Sequence, residues 1–207
     1  MLAGVFLCPI CLAMKRLVLR PLLSLVFPLA AAWGWATSAH AQAPDQEDQF
    51  ASSISDRLDE IFAQLAFEQD PVVANQLLSE SSQLWLVIED IEAQSLMTYG
   101  LQAMRFGALP QSIELFERVT QQEPDYIEGW NKLATALFYA GRLQESEPIT
   151  RRVLELDPRH YGALWGMGMI TEGQGRLDEA VRWYQLAYSV APAILGPLER
   201  SQLLTPR

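Results

Sequence analysis

Residues 130–158, WNKLATALFYAGRLQESEPITRRVLELDP, decide the fold of this chain. Apolar residues recur at helical spacing on both sides of Gly141, and Pro158 closes the stretch. The pattern predicts two amphipathic helices that fold back on each other at the glycine. One such pair cannot bury its apolar face alone, so the sequence has to supply neighbouring pairs.

The neighbouring pairs are present, because the same markers recur at a step of 34 residues. Three residue types keep that step: Gly107, Gly141 and Gly175; Leu109, Leu143 and Leu177; Pro124, Pro158 and Pro192. A fixed period of this kind indicates a linear array in which each period is one helical hairpin.

The array resembles the tetratricopeptide repeat family. The unit of that family is a helix-turn-helix of the same length, with a tryptophan, small residues at the helix crossing and a closing proline. The resemblance implies an all-α, right-handed solenoid of helical hairpins, with about eight helices after the first segment. Three regular units are expected at 93–126, 127–160 and 161–194, with small residues at the crossings: Gly100, Ala134 and Gly168.

The middle unit departs from the family pattern at two positions. Thr150 stands where an aromatic residue normally fills the crevice between repeats, and Phe116 and Tyr184 keep that pattern on either side. Pro148 lacks a backbone donor, so we expect the second helix of this unit to start late, near Ser146, or to bend there.

The segments outside the repeats have distinct predictions. Residues 42–53 are small, polar and acidic, which indicates a disordered leader. Residues 54–92 carry the apolar pattern of a hairpin without the repeat markers, and we expect this hairpin to cap the first regular unit. Residues 195–207 form a tail that we expect to lie across the last unit.

The first 41 residues have the pattern of a secretory signal. Lys15 and Arg16 precede an apolar run over 17–36, and Ala39-His40-Ala41 offers a cleavage site. The alternative is an uncleaved anchor, because the run is about long enough to span a bilayer. A start at Met14 would give a more usual signal, so Met14 is an alternative start.

The charge balance excludes some classes of partner. The first 41 residues hold Lys15, Arg16 and Arg20 but no acid, so the rest of the chain has 12 basic and 25 acidic residues, a net charge of −13. Binding to nucleic acid or to an anionic membrane surface needs clustered lysine and arginine. The sequence therefore argues against both.

The residue types needed for catalysis are sparse. Beyond residue 41 the sequence has one histidine, His160, in a turn between units, where a structural or solvated role is expected. The carboxylates have no second ligand type beside them for zinc, and phosphate-cradling or nucleophile motifs are missing from the sequence. We therefore expect no enzyme activity, no metal and no cofactor.

The family resemblance implies a binding surface instead. In this family the first helices of successive units line a concave groove for a segment of a partner, and the groove positions here are Met97, Leu101, Met104, Arg105, Glu128, Asn131, Thr135, Phe138, Trp165, Met169 and Glu172. The Lys, Arg and Asn set with which some members clamp a carboxylate is absent. A partner segment with apolar anchors is expected. The alternative is that Trp165 and Met169 pack against the tail or the hairpin.

The function implied by these features is a non-enzymatic scaffold or adaptor in the cell envelope. Export, most simply to the periplasm, follows from the predicted signal. If the apolar run is not cleaved, the chain would instead be a structural subunit anchored in the inner membrane and facing the periplasm. A third reading is an accessory recognition subunit of an envelope assembly or maturation complex.

Overall fold

The structure, a computed structural model, describes the backbone of residues 46–205 and the side chains of residues 52–205. The predicted signal, its cleavage site and the alternative start lie outside the described residues. The described part of the chain consists of helices: α1 (Gln46–Leu65), α2 (Pro71–Trp85), α3 (Ile91–Arg105), α4 (Leu109–Gln122), α5 (Ile127–Tyr139), α6 (Leu143–Leu156), α7 (Tyr161–Gly173), α8 (Leu177–Val190) and α9 (Gly196–Leu204).

The fold is an all-α solenoid of helical hairpins, as predicted. Helices α3 and α4, α5 and α6, and α7 and α8 form three successive pairs, and α4 packs on α5 as α6 packs on α7. Each pair reverses at a glycine whose φ is positive, between 72° and 78°. A Cβ built at these glycines has no neighbour within 4 Å, so the left-handed backbone, and not lack of space, requires glycine there.

Lack of space explains the small residues at the helix crossings. A Cβ added to Gly100 would lie 2.5 Å from Cε1 of Phe116, and one added to Gly168 would meet the ring of Tyr184 as closely. Phe116 and Tyr184 are fully buried. In the first and third units, an aromatic ring of the second helix therefore lies directly on the backbone of the first helix.

Helices α1 and α2, called here the edge hairpin, do not stack on the first unit. Their apolar side chains pack against residues of the turns that follow α4, α6 and α8, which together are called the turn edge: Ile127, Tyr161, Val190, Ala191, Ala193 and Ile194. We predicted that 54–92 caps the first unit, and the apolar contacts of this hairpin are instead with the turn edge. The hairpin lies across all three turns.

The composition of the first unit explains this difference. At the 34-residue step, Ser95 of α3 corresponds to Gly129 and Ala163, and Gln102 corresponds to Ala136 and Ile170. The outer face of the first unit therefore offers less apolar surface. Tyr99 of that face is 61% exposed, although its counterparts Leu133 and Met167 are buried. The apolar residues of the turn edge pack with the hairpin instead, and the burial of apolar area favours that docking.

Polar and aromatic contacts fix the edge hairpin in place. The rings of Trp85 and His160 stack with centroids 4.0 Å apart. Arg159 pairs with Asp59 at 2.6 Å and lies over the ring of Phe62, 4.8 Å from its centroid. The linker after α2 is bound as well, because the hydroxyl of Tyr126 donates to the carbonyl of Leu86 at 3.2 Å.

Three boundaries differ from the sequence predictions. Helix α1 begins at Gln46, so the prediction of a disordered leader over 42–53 is wrong from residue 46 onward. The sequence places the acidic residues Glu47 and Asp48 in its first turn, and acidic residues favour a helix N-terminus because they interact well with the helix dipole. Helix α6 begins at Leu143 and continues through Pro148, so the late start is wrong. The tail forms α9, in which Pro197 occupies the first turn, where a missing donor is tolerated.

Candidate binding groove

The predicted groove residues lie on the first helices of the three units, α3, α5 and α7. The structure brings four of them together around one small cavity between α5 and α7: Asn131, Thr135, Phe138 and Met169. The cavity has a volume of about 60 Å³ and opens to the surface. The other groove residues lie elsewhere and differ in what they contact.

The cavity results from the residue pair at the crossing of the middle unit. Ala134 and Thr150 stand where the flanking units have glycine beneath an aromatic ring. Both residues are buried and both line the cavity. Threonine fills less space than phenylalanine or tyrosine, so the position that holds a ring in the first and third units is partly empty here.

Three hydroxyl groups in the walls of this cavity are already hydrogen-bonded to the protein. Thr150 donates to the carbonyl of Ser146 at 2.9 Å, and Ser146 donates to the carbonyl of Ala134 at 2.8 Å. Thr135 donates to the carbonyl of Asn131 at 2.8 Å. Because these hydroxyl protons are bound within the helices, the cavity does not need a polar ligand to satisfy them.

A second, wider hollow of about 520 Å³ continues from the cavity toward the C-terminal end. It shares Phe138 and Met169 with the cavity and adds Trp165, Glu172, Gly173, Tyr184 and Arg200. The rings of Trp165 and Tyr184 lie 4.9 Å apart at 52°. The cavity and the hollow therefore form one groove that runs across α5 and α7 to α9.

A charged pair closes the far end of the groove. Arg200 of α9 forms an ion pair with Glu172 of α7, and the hydroxyl of Tyr184 donates to the same carboxylate at 2.8 Å. The hydrogen bond from Arg200 is the main reason that the pKa of Glu172 lies below its usual value. Glu172 therefore stays ionised, and its charge is balanced by Arg200.

The groove residues of the first unit are arranged differently. Met97 is buried in the core with Phe116, Leu133 and Leu137, and Leu101 and Met104 pack half-buried on the same core. Arg105 is exposed and forms no ion pair with any residue that the structure describes. The first unit thus contributes an exposed positive charge to this face, and its apolar groove residues pack on the core.

Glu128 belongs to a buried charged cluster and not to the open groove. Its carboxylate accepts from Lys132 at 2.5 Å, from Asn131 at 3.0 Å and from Nε2 of His160 at 3.2 Å. Burial alone would raise the pKa of Glu128, but the hydrogen bond from His160 and the charge of Lys132 outweigh it, so the pKa is lowered. The cluster keeps a buried carboxylate ionised and paired.

Both ring nitrogens of His160 have partners. Nδ1 accepts from the backbone N–H of Ala163 at 3.1 Å and so caps α7, which assigns the proton to Nε2 and makes it the donor to Glu128. The ring is 3% exposed beneath Trp85. This histidine therefore joins the third unit to the second unit and to the edge hairpin, and it does not face the groove.

Residues 131–194 match the family model described as tetratricopeptide repeat. Residues 131–194 therefore belong to the tetratricopeptide repeat family. Over 183 residues the chain is 28% identical to a TPR repeat-containing protein of Rhizobium etli, and the match covers 88% of this chain and 90% of that protein. The similarity thus extends along nearly the whole length of both chains.

Solved structures of tetratricopeptide repeat domains have the same fold. The first TPR of Spaghetti (RPAP3), solved with the HSP90 peptide SRMEEVD, gives a TM-score of 0.54 at 15% identity and covers 56% of this chain and 93% of that one. The TPR2B domain of yeast Sti1, solved in a pHsp70 complex, gives 0.51 at 14% identity, with 56% and 94% covered. At these identities the likeness establishes the fold alone.

Sequence reasoning on this repeat protein missed two contributors to the groove. Arg200 lies in α9, which has no counterpart in the repeats, so no periodic position points to it. The sequence shows that Thr150 replaces the aromatic residue found at Phe116 and Tyr184. It does not show the cavity, because that depends on how the neighbouring side chains pack. Trp165 remains half-buried beside the tail, since a Cβ built on Gly196 would lie 3.9 Å from its Cη2.

Between 46 and 205 no group of three or more His, Cys, Asp or Glu side chains is placed to hold a metal ion. Within the same range no helix combines the length and the apolar character that crossing a bilayer requires.

Proposed function

We propose that the groove across α5, α7 and α9 binds a segment of another protein and that the chain acts as a non-enzymatic scaffold. The observation that carries the proposal is the continuous hollow from the cavity at Thr150 to the Glu172–Arg200 pair. Its apolar walls suit the burial of one or two apolar side chains of a partner. The peptide complexes of the Spaghetti and Sti1 domains support the proposal by analogy of fold.

The proposed setting is the cell envelope. The pattern of residues 1–41 supports export, and the net charge of −13 beyond them argues against nucleic acid and anionic membrane surfaces. N-terminal sequencing of the protein from its producing cells tests the setting. An N-terminus at Gln42 supports an exported, periplasmic adaptor. An intact N-terminus favours the alternative, a membrane-anchored structural or accessory subunit of an envelope complex.

Site-specific photocrosslinking in the producing cells tests the groove. A photoreactive phenylalanine at Phe138, which borders both hollows, is expected to capture a partner protein that mass spectrometry identifies. The matched control carries the same group at Arg182, an exposed residue of α8. Replacing Trp165 and Met169 with alanine should abolish the crosslink while the helical circular dichroism persists. Identical products from positions 138 and 182, or no product from 138, would overturn the proposal.

A further inference from the structure

We infer that the cavity at Thr150 is an anchor pocket that takes the tip of one aliphatic side chain, from a partner segment that is acidic on the side facing the first unit. The inference rests on the proposed function and specifies the segment that the groove binds. It excludes an aromatic anchor at this pocket. Three properties of the described residues support it: the origin of the cavity, its size, and the charges along the groove.

The origin of the cavity shows which kind of group is missing. At the 34-residue step, the crossing pairs are Gly100 with Phe116, Ala134 with Thr150, and Gly168 with Tyr184. In the outer two pairs a ring of the protein itself lies on the glycine. In the middle pair the Cβ of Ala134 lies where a ring touches glycine in the outer pairs. The space that Thr150 leaves unfilled beside it opens to the groove. A side chain from outside can reach it.

The chemistry of the walls favours a hydrocarbon group. The hydroxyls of Thr135, Ser146 and Thr150 donate to helix carbonyls. Cγ2 of Thr150 is directed across the cavity toward α7, because a Cβ built on Gly166 would lie 3.9 Å from it. Met169 and Ile170 of α7 line the opposite wall. The three hydroxyls therefore have no free proton for a polar group, so burying such a group beside them costs its hydration.

The size of the cavity separates aliphatic from aromatic side chains. Its volume is about 60 Å³. On the same scale one water needs roughly 10–15 Å³, and an apolar cavity of about 150 Å³ accommodates benzene. A volume of this size therefore holds about three carbon atoms. The tip of valine, leucine, isoleucine or methionine fits, whereas a phenyl ring does not.

The charges along the groove determine what flanks the anchor. Three of the predicted groove residues are charged, and the two carboxylates are neutralised, Glu128 by Lys132 and Glu172 by Arg200. Arg105 is left without an ion pair to any described residue. By the repeat step it corresponds to Tyr139 and Gly173, which line the two hollows, so it belongs to the same face. The uncompensated charge of the groove is thus positive.

The spacing between anchor and acid follows from helix packing. The cavity lies between α5 and α7, and Arg105 lies on α3, about one and a half helix spacings away. With helices about 10 Å apart, the distance is roughly 15 Å, which an extended segment spans in about four or five residues. The preferred segment therefore has an aliphatic residue and an Asp or Glu about four or five positions away.

Selection from a random dodecapeptide library on the purified protein tests the inference. We expect enriched peptides to share one valine, leucine, isoleucine or methionine, with an acidic residue about four or five positions from it. In a synthetic peptide from the selection, replacing the aliphatic anchor by alanine or by phenylalanine should weaken binding at least about tenfold. Enrichment of aromatic anchors, or tolerance of either replacement, would overturn the anchor pocket.

A protein variant provides the second arm. Ala134→Gly with Thr150→Phe copies the pair of the first unit, so a ring of the protein should fill the cavity and lower peptide affinity at least about tenfold. Ser189→Phe adds the same ring at an exposed serine of α8 and should bind as the parent does. Circular dichroism and the thermal midpoint report folding. If the double variant does not fold, the peptide series decides alone.

The outcomes separate this inference from the proposed function. If the filled variant binds the selected peptide as the parent protein does, and the crosslink from position 138 persists, the groove binds a segment but the cavity does not select its anchor. If no peptide is enriched and position 138 captures no partner, both the groove and the pocket fail.

Discussion

Two glycines on the same turn of α7, separated by a single residue, are expected to respond to substitution in opposite ways. A Cβ on Gly168 would overlap the ring of Tyr184, whereas a Cβ on Gly166 would make an ordinary contact of 3.9 Å with Thr150. We expect Gly168→Ala to lower the free energy of unfolding by about 1–3 kcal/mol through overpacking. Gly166→Ala should raise it by about 0.5–1 kcal/mol, because alanine loses less backbone entropy in a helix.

Urea denaturation of the two variants measures this difference. Since the two positions share one helix, secondary-structure propensity favours alanine equally at both, and only the neighbouring ring distinguishes them. Equal shifts of the two midpoints would contradict the packing of Tyr184 on Gly168. The Gly166 methyl would also narrow the cavity, so this variant should be more stable and yet bind a peptide less tightly.

At the scale of the element, α6 and α8 are joined on the surface by a cluster of charges. Glu147 of α6 accepts from Arg151 of its own helix, and also from Arg176 and Gln174 of the turn between α7 and α8. Arg151 also pairs with Glu179 of α8 at 3.2 Å. The hydrogen bond from Arg176 is the main cause that lowers the pKa of Glu147 to about 2.

This cluster predicts how acid affects stability. A carboxyl whose pKa is lower in the folded than in the unfolded state binds fewer protons when folded. Its contribution is therefore complete above the ordinary value of 4.5 and is lost as the pH falls through about 2. We expect Glu147→Gln to be less stable than the parent protein at pH 7, and the difference to shrink toward pH 2.

Urea midpoints at neutral and acidic pH give the measurement. Glu114→Gln, at an exposed glutamate of α4, is the control and should stay within about 0.5 kcal/mol of the parent at every pH. A constant difference between Glu147→Gln and the parent from pH 7 to pH 2 would show that the pairing with Arg176 does not stabilise the fold.

At the scale of the whole molecule, the edge hairpin connects units that otherwise contact only their neighbours. Trp85 is central to this connection, because it packs on Phe62 within the hairpin and stacks on His160 in the turn after α6. We expect Trp85→Ala to lower the free energy of unfolding of the hairpin region by about 3 kcal/mol or more. The lost burial is local, so the effect should be local.

Hydrogen exchange measured by residue tests where the effect lies. Amides of α1, α2 and the first turn of α7 should exchange faster in Trp85→Ala, while those of α4 keep their rates. Phe67→Ala is the matched control, because Phe67 is 86% exposed after α1. Faster exchange across all helices would indicate that the hairpin and the repeats unfold as one unit.

The sequence is sufficient for the repeats because their signals are local. A glycine with positive φ, a closing proline and helical apolar spacing each act within a few residues, so Gly107, Gly141 and Gly175 locate the three reversals. The docking of the edge hairpin depends on apolar residues of the turn edge that are distant in sequence. No local pattern around Trp85 predicts which of these surfaces it contacts. Arg200 was missed for the same reason, because its partner Glu172 lies 28 residues away.

Four of the residues predicted to line a groove lie around one cavity. These four, Asn131, Thr135, Phe138 and Met169, follow from their positions on the first helices. Met97, the counterpart of Asn131 in the first unit, is buried by the core, and Glu128 is buried beneath its ion pairs. Position in the repeat determines the face of the helix. What covers that face depends on the neighbours of each unit.

The edge hairpin has a mechanical consequence. A stack of helix pairs joined only by nearest-neighbour contacts extends and twists like a spring, so its inner surface can widen for a bulky guest. Here a two-helix strut bridges three consecutive joints along one side. If the array opens, the units must therefore rotate about the edge hairpin, and the movement has to occur on the side that the hairpin does not contact. A partner segment that binds this array therefore meets a surface of nearly fixed curvature, which favours segments that already match its shape.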